Sequence, residues 1–185
     1  EGNNHTIKNL NNQSLFANFK GNIQNLKIIN FTNNRESENF VAAFASQTNG
    51  ATLRNIKFEN ITLNGVNNIG VIAGQDGKET ATSTFDRISV KNANVKGSGV
   101  YVSTFIGRKF GGSIKNVYVQ GQLDVTTTEN GGIVGASQQS VVIENVISNV
   151  SIIKNSNTYN GASRNYYNGG IVGNNRGEIL YVYNI

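Results

Sequence analysis

Few side chains in this sequence could do chemistry, and they are far apart. His5 is the single histidine and there is no cysteine, so no thiolate nucleophile, disulfide or Cys-ligated zinc is available. A zinc site needs three or four His, Cys or carboxylate ligands, and no HExxH spacing occurs. A Ser–His–Asp triad would have to use His5, which follows the turn-forming run "EGNN". The 11 acidic residues are dispersed along the chain. Glycosidic cleavage needs a carboxylate pair across the sugar bond, and a calcium-dependent lyase needs several carboxylates around the ion. The glycines of "NGGIVG" at 130–135 and 168–173 imitate a phosphate-binding loop. A strand pattern follows them rather than a helix, and no Lys-Ser or Lys-Thr pair comes next. The expectation is a chain with no catalytic residue, no metal site and no cofactor of its own.

Recognition residues are the remaining candidates. The stretch "KNSNTYNGASRNYYNGG" (154–170) carries Tyr159, Arg164, Tyr166 and Tyr167. A Tyr/Arg loop on a rigid scaffold is a common way to build protein and sugar contacts. The reading is a loop insertion at 154–167 that binds substrate, or one whose tyrosines pack on the neighbouring rung. Smaller candidates are "QDGKETATS" (75–83) and "RKF" (108–110).

The elements that must carry these residues are repeats. One phrase, apolar–any–Asn–apolar, recurs as "IKNL" (7–10), "IQNL" (23–26), "LRNI" (53–56), "IKNV" (114–117) and "IENV" (143–146), with degenerate copies "FDRI" (85–88) and "ILYV" (179–182). A second phrase of apolar and small residues gives the column Phe16, Phe44, Ile72, Phe105, Ile133 and Ile171, spaced 28, 28, 33, 28 and 38 residues apart. Apolar residues inside each copy alternate (Leu26 and Ile28, Ile56 and Phe58, Ile88 and Val90), the period of a half-buried strand. The Asn phrase breaks that rhythm, which predicts corners at Asn9, Asn25, Asn55, Asn116 and Asn145 in a left-handed or bridge conformation. Their amides would stack as a ladder, with irregularity where Arg87 and Tyr181 replace Asn. One repeat cannot bury enough apolar surface to fold alone, so the copies must stack. The predicted fold is all-β, a right-handed parallel β-helix-like solenoid of about six repeats with a period near 28 residues, forming one domain over 1–185. Aligned rungs place Asp86 level with Arg54 and Lys115, and Glu59 level with Lys91 and Gln120, a charge-alternating sheet surface.

Composition agrees. The 185 residues include 32 asparagines and 21 glycines but no proline, methionine or tryptophan. Asn and Gly best tolerate positive φ, so the chain turns often. The net charge is +5, yet the 16 basic residues form no block, which argues against a nucleic-acid partner. No apolar run reaches the length of a membrane span. The absence of methionine and the abrupt ends suggest a piece of a longer protein, monomeric on its own.

The glycine phrases "NGGIVGASQQSVVIENV" (130–146) and "NGGIVGNNRGEILYV" (168–182) resemble the GLUG repeat. The opening "EGNNHTIKNL" with "LFANFKGNIQNLKIINF" resembles the start of the repeat region in streptococcal zinc metalloproteases of the immunoglobulin A protease type. The resemblance covers essentially the whole chain. It implies a secreted or wall-associated Gram-positive protein whose repeat region precedes a zinc metallopeptidase domain bearing HExxH and a downstream glutamate. None of those catalytic residues has a counterpart here, so zinc is expected only in the parent's catalytic domain. What carries over is structural: glycine corners, Gly135 and Gly173 among them. The implied function is a non-catalytic spacer and docking scaffold for host glycoproteins such as immunoglobulin A, with the parent's catalytic domain as its other partner. The alternatives are a stand-alone adhesin-like binding module and a β-helical polysaccharide-cleaving enzyme.

Overall fold

The computed structural model describes residues 1–77, 82–154 and 167–185. Among the described residues the chain is all-β, 74% strand with no helix, wound as parallel stacked coils of about 5 turns with a period of ~29 residues. In chain order the strands are β1 (His5–Lys8), β2 (Phe16–Asn34), β3 (Val41–Ala42), β4 (Ala45–Gly65), β5 (Ile69–Gly70), β6 (Ala73–Asp76), β7 (Ser83–Gly97), β8 (Ile106–Val125), β9 (Asn130–Gly131), β10 (Val134–Lys154), β11 (Asn168–Gly169), β12 (Val172–Asn174) and β13 (Glu178–Asn184). Every pairing is parallel. β1 lies on β2 and β2 on β4; β6 and β7 bridge β4 to β8; β8 pairs with β10, which carries β12 and β13.

The long strands are not straight. A flat strand of 21 residues such as β4 would span ~70 Å, but the backbone turns inside it while its ladder to the next coil continues. The turns are single left-handed residues. Asn25, Asn55, Asn116 and Asn145 have φ of 58°, 52°, 55° and 54°, and Asn9 in the first coil has 61°. A second column, Asn30, Asn60 and Asn92, turns the next corner at φ 53°, 56° and 53°. Arg87 and Tyr181 hold φ of 53° and 49°, so the backbone turns there as it does at the asparagine corners. Pairing with the neighbouring coil decides the conformation, and the side chain merely tolerates it.

Asn is favoured at these corners because its amide bonds to the next coil. Asn55 Nδ2 donates to Asn25 Oδ1 at 2.6 Å and Asn145 Nδ2 to Asn116 Oδ1 at 2.6 Å. Asn60 donates to Asn30 at 3.0 Å and Asn92 to Asn60 at 3.1 Å. At Arg87 the amide ladder breaks, and Asn116 donates instead to Asp86 at 2.8 Å.

Inside, equivalent side chains stack in rows along the axis. Ile23, Leu53, Phe85, Ile114, Ile143 and Ile179 form one, and Leu26, Ile56, Ile88, Val117, Val146 and Val182 another. These rows belong to one continuous apolar core. The second-phrase column needs a single shift: Phe16 pairs with Ala45, so Leu15 rather than Phe16 is level with Phe44.

Gly135 and Gly173 are not corners, because neither has positive φ. They occupy a spine with Gly74 and Gly107 where coil backbones approach too closely for a side chain. A Cβ on Gly135 would lie 2.5 Å from the Gly107 carbonyl oxygen, and one on Gly173 would lie 2.6 Å from the Asn130 nitrogen. The left-handed corners beside this spine belong to Phe40, Asn68, Tyr101 and Glu129, with φ of 59°, 55°, 62° and 59°.

Candidate functional site

Of the predicted insertion residues, Tyr159, Arg164 and Tyr166 lie outside the described residues. Tyr167 is described and 46% exposed. Its backbone N–H donates to Thr128 Oγ1 at 2.8 Å and its carbonyl accepts from the Asn130 N–H at 3.0 Å. It therefore sits on the rung that carries the Glu129 corner.

Several of the acidic residues are joined to bases. Asp86 lies 3.4 Å from Arg54 and 3.2 Å from Arg87, Lys115 lies 2.8 Å from Glu144, and Lys27 lies 2.8 Å from Glu59. Asp86 is level with Arg54 and Lys115, and Glu59 with Lys91. Gln120 falls at a register shift beyond Val90, so it does not complete the second row. Among the described residues, no group of three or more His, Cys, Asp or Glu is placed to hold a metal ion. His5 is exposed on β1, level with Leu26.

Of the two minor candidates, 75–83 and 108–110, residues 78–81 lie outside the described residues, and 75–76 meet 108–109 in space. β6 pairs with the start of β8, which puts Gln75 level with Arg108 and Asp76 level with Lys109. Strand alternation then sends Asp76 and Lys109 inward and Gln75 and Arg108 outward. Asp76 and Lys109 are both 0% exposed. Lys109 Nζ stands 2.5 Å from Asp76 Oδ2, 3.1 Å from the Ser83 carbonyl oxygen and 4.6 Å from the Phe85 ring centroid. Thr48 Oγ1 donates to Asp76 Oδ1 at 2.7 Å. Burial pushes the Lys109 ammonium below lysine's ordinary range, against the opposing pull of Asp76. Thr48, Asp76, Lys109 and Ser137 form one inward column across four coils.

On the outside, the Arg108 guanidinium is sandwiched between Tyr101 and Phe110, 4.9 Å and 4.5 Å from their ring centroids. Such stacking holds a guanidinium in a fixed plane while leaving its edge free to bind. Its Nε is buried and meets no hydrogen-bond partner among the described residues. Beside it lies an open groove of about 540 Å³ lined by Arg108, Phe110, Gln138, Gln139, Ser140 and Arg176. Tyr101 is supported from behind by Glu129, which also accepts from Asn174 Nδ2 at 2.7 Å. Burial pushes the Tyr101 phenol up, and the adjacent Glu129 carboxylate adds to the shift. Two arginines, an aromatic wall and two glutamines form a surface suited to an anionic, polyhydroxylated group.

No family model, no curated protein and no solved structure matches this chain.

Proposed function

We propose that the chain is a non-catalytic β-solenoid domain of a secreted Gram-positive surface protein, a stiff spacer that docks acidic glycans of host glycoproteins in the Arg108 groove. One observation carries this reading: a guanidinium stacked against Tyr101 and Phe110 in the lining of an open groove that also holds Arg176. The positive charge of Arg108 and Arg176 suits a sugar carboxylate, and the Gln138 and Gln139 amides suit its hydroxyls. The larger protein this domain would serve is a zinc metalloendopeptidase of the immunoglobulin A protease type. That part rests on the likeness of the opening "EGNNHTIKNL" and "LFANFKGNIQNLKIINF", and it assigns zinc to the parent's catalytic domain.

The test is binding of the chain to immunoglobulin A and to mucin-type glycoproteins, before and after enzymatic removal of their acidic sugars. Arg108→Gln should weaken binding at least ~10-fold, and removal of the acidic sugars should weaken it as much. A variant with Tyr159, Arg164, Tyr166 and Tyr167 changed to serine separates the two candidate surfaces. Loss of binding in that variant alone would move docking to 154–167. Absence of binding by the unaltered chain would sink the docking role and leave the spacer. The adhesin-like alternative is favoured if this chain alone binds host glycoprotein as tightly as the longer protein does.

A further inference from the structure

We infer that Asp76 and Lys109 are a site of spontaneous covalent cross-linking, in which the Lys109 amine and the Asp76 carboxyl condense to an amide that ties adjacent coils together. Three features of the core point to this chemistry. The nucleophile and the carboxyl group it attacks are in contact, with Nζ 2.5 Å from Oδ2. Held proximity of this kind is worth an effective molarity of about 10⁵–10⁸ M. Both side chains are 0% exposed, so the water that would reverse the condensation is excluded. The two polar neighbours address separate atoms of the reacting pair, Thr48 Oγ1 at Asp76 Oδ1 (2.7 Å) and the Ser83 carbonyl at Lys109 Nζ (3.1 Å).

The step balances without any co-reactant. Lys109 as ammonium passes one proton to the Asp76 carboxylate, giving a neutral amine beside a neutral acid. The Nζ lone pair attacks Cγ and the Nζ–Cγ bond forms. The developing negative charge falls on Oδ1, where the Thr48 hydroxyl already donates. Oδ2, on the side of the amine, then collects a second proton from nitrogen. The Cγ–Oδ2 bond breaks and one water leaves. The product is a neutral amide, and the core loses an ion pair and gains a covalent bond. Phe85, against the amine, helps keep water out.

The measurement is the intact mass of the folded chain under denaturing conditions, followed by tryptic mapping. The expected mass is one water below that of the sequence. The expected digest contains a branched peptide joining 58–78 to 109–115, because an acylated Lys109 is no longer cut by trypsin. Lys109→Met should restore the full mass. Thr48→Val should lower the cross-linked fraction in chains of equal age. A full-mass unaltered chain whose circular dichroism shows it folded would overturn the proposal. So would a water loss confined to 58–78, which marks a cyclic imide at Asp76–Gly77, or one confined to the peptide that begins at Glu1, which marks closure of that residue's own ring. If Lys109→Met does not fold, the branched peptide of the unaltered chain still decides.

Discussion

The strongest constraint on any single residue here is the removal of Lys109 and Asp76 from water. In the un-cross-linked chain, Lys109→Ala leaves a buried carboxylate without its partner, and such losses cost about 3–5 kcal/mol. Urea denaturation should read that cost, and a paired Asp76→Leu/Lys109→Met change should cost less than Lys109→Ala alone, because no charge is stranded. Tyr101 gives a prediction on the alkaline side. Its phenol is raised above the ordinary value of 10.0 by burial and by Glu129. Above pH 10.0, the unfolded chain releases this proton more readily than the folded one, so folding stability falls as pH rises toward the folded value. Below that window the group contributes no slope. Denaturation midpoints measured across the window should flatten in Tyr101→Phe, and an unchanged slope would remove Tyr101 as its source.

Elements in this protein are defined by corners rather than by strand ends. Asn116 sits at φ 55°, donates to Asp86 and accepts from Asn145. Asn116→Ala loses both amide bonds and leaves in the left-handed region a residue without the polar side chain that lets Asn tolerate it, where the backbone alone costs about 1–2 kcal/mol. Asn116→Gly loses the same bonds but keeps the conformation without strain, so it should unfold at a denaturant concentration between those of Asn116→Ala and the unaltered chain. The glycine spine should behave in the opposite way. Gly135→Ala has no left-handed strain to fear, yet its Cβ would lie 2.5 Å from the Gly107 carbonyl oxygen. Overpacking against backbone costs about 1–3 kcal/mol or more, and thermal melts should show Gly135→Ala clearly less stable. An Ala tolerated there would mean that the coils can separate.

At the scale of the whole molecule, each coil touches only the coils next to it, so stability is a sum of coil and interface contributions. The inner rows of β4, β7 and β8 are covered on both sides, whereas β1 and β13 each pair with one strand. Native-state hydrogen exchange should therefore be slowest in the amides of β4, β7 and β8 and fastest in β1 and β13. Uniform protection along the axis would contradict nearest-neighbour stacking. A stiff rod of this kind suits a spacer, since its length follows directly from the number of coils.

The sequence by itself determined the solenoid, because the repeating apolar rows and the asparagine corners are local features that recur at a nearly constant period. It also held an unread signal. Thr48, Asp76, Lys109 and Ser137 each stand four residues after Phe44, Ile72, Phe105 and Ile133, a fixed offset that marks one column. What the sequence could not say is that this column faces inward. Asp76 and Lys109 lie on two separate coils, and only the parallel register and the alternation of side chains bring their charges together in a dry core. The role of the glycines was misread for the same reason. Gly135 looks like a turn residue along the chain, but it is required by a neighbouring coil's carbonyl, a contact made in space. The Arg108 groove likewise draws on three coils at once, so tertiary structure alone decided it.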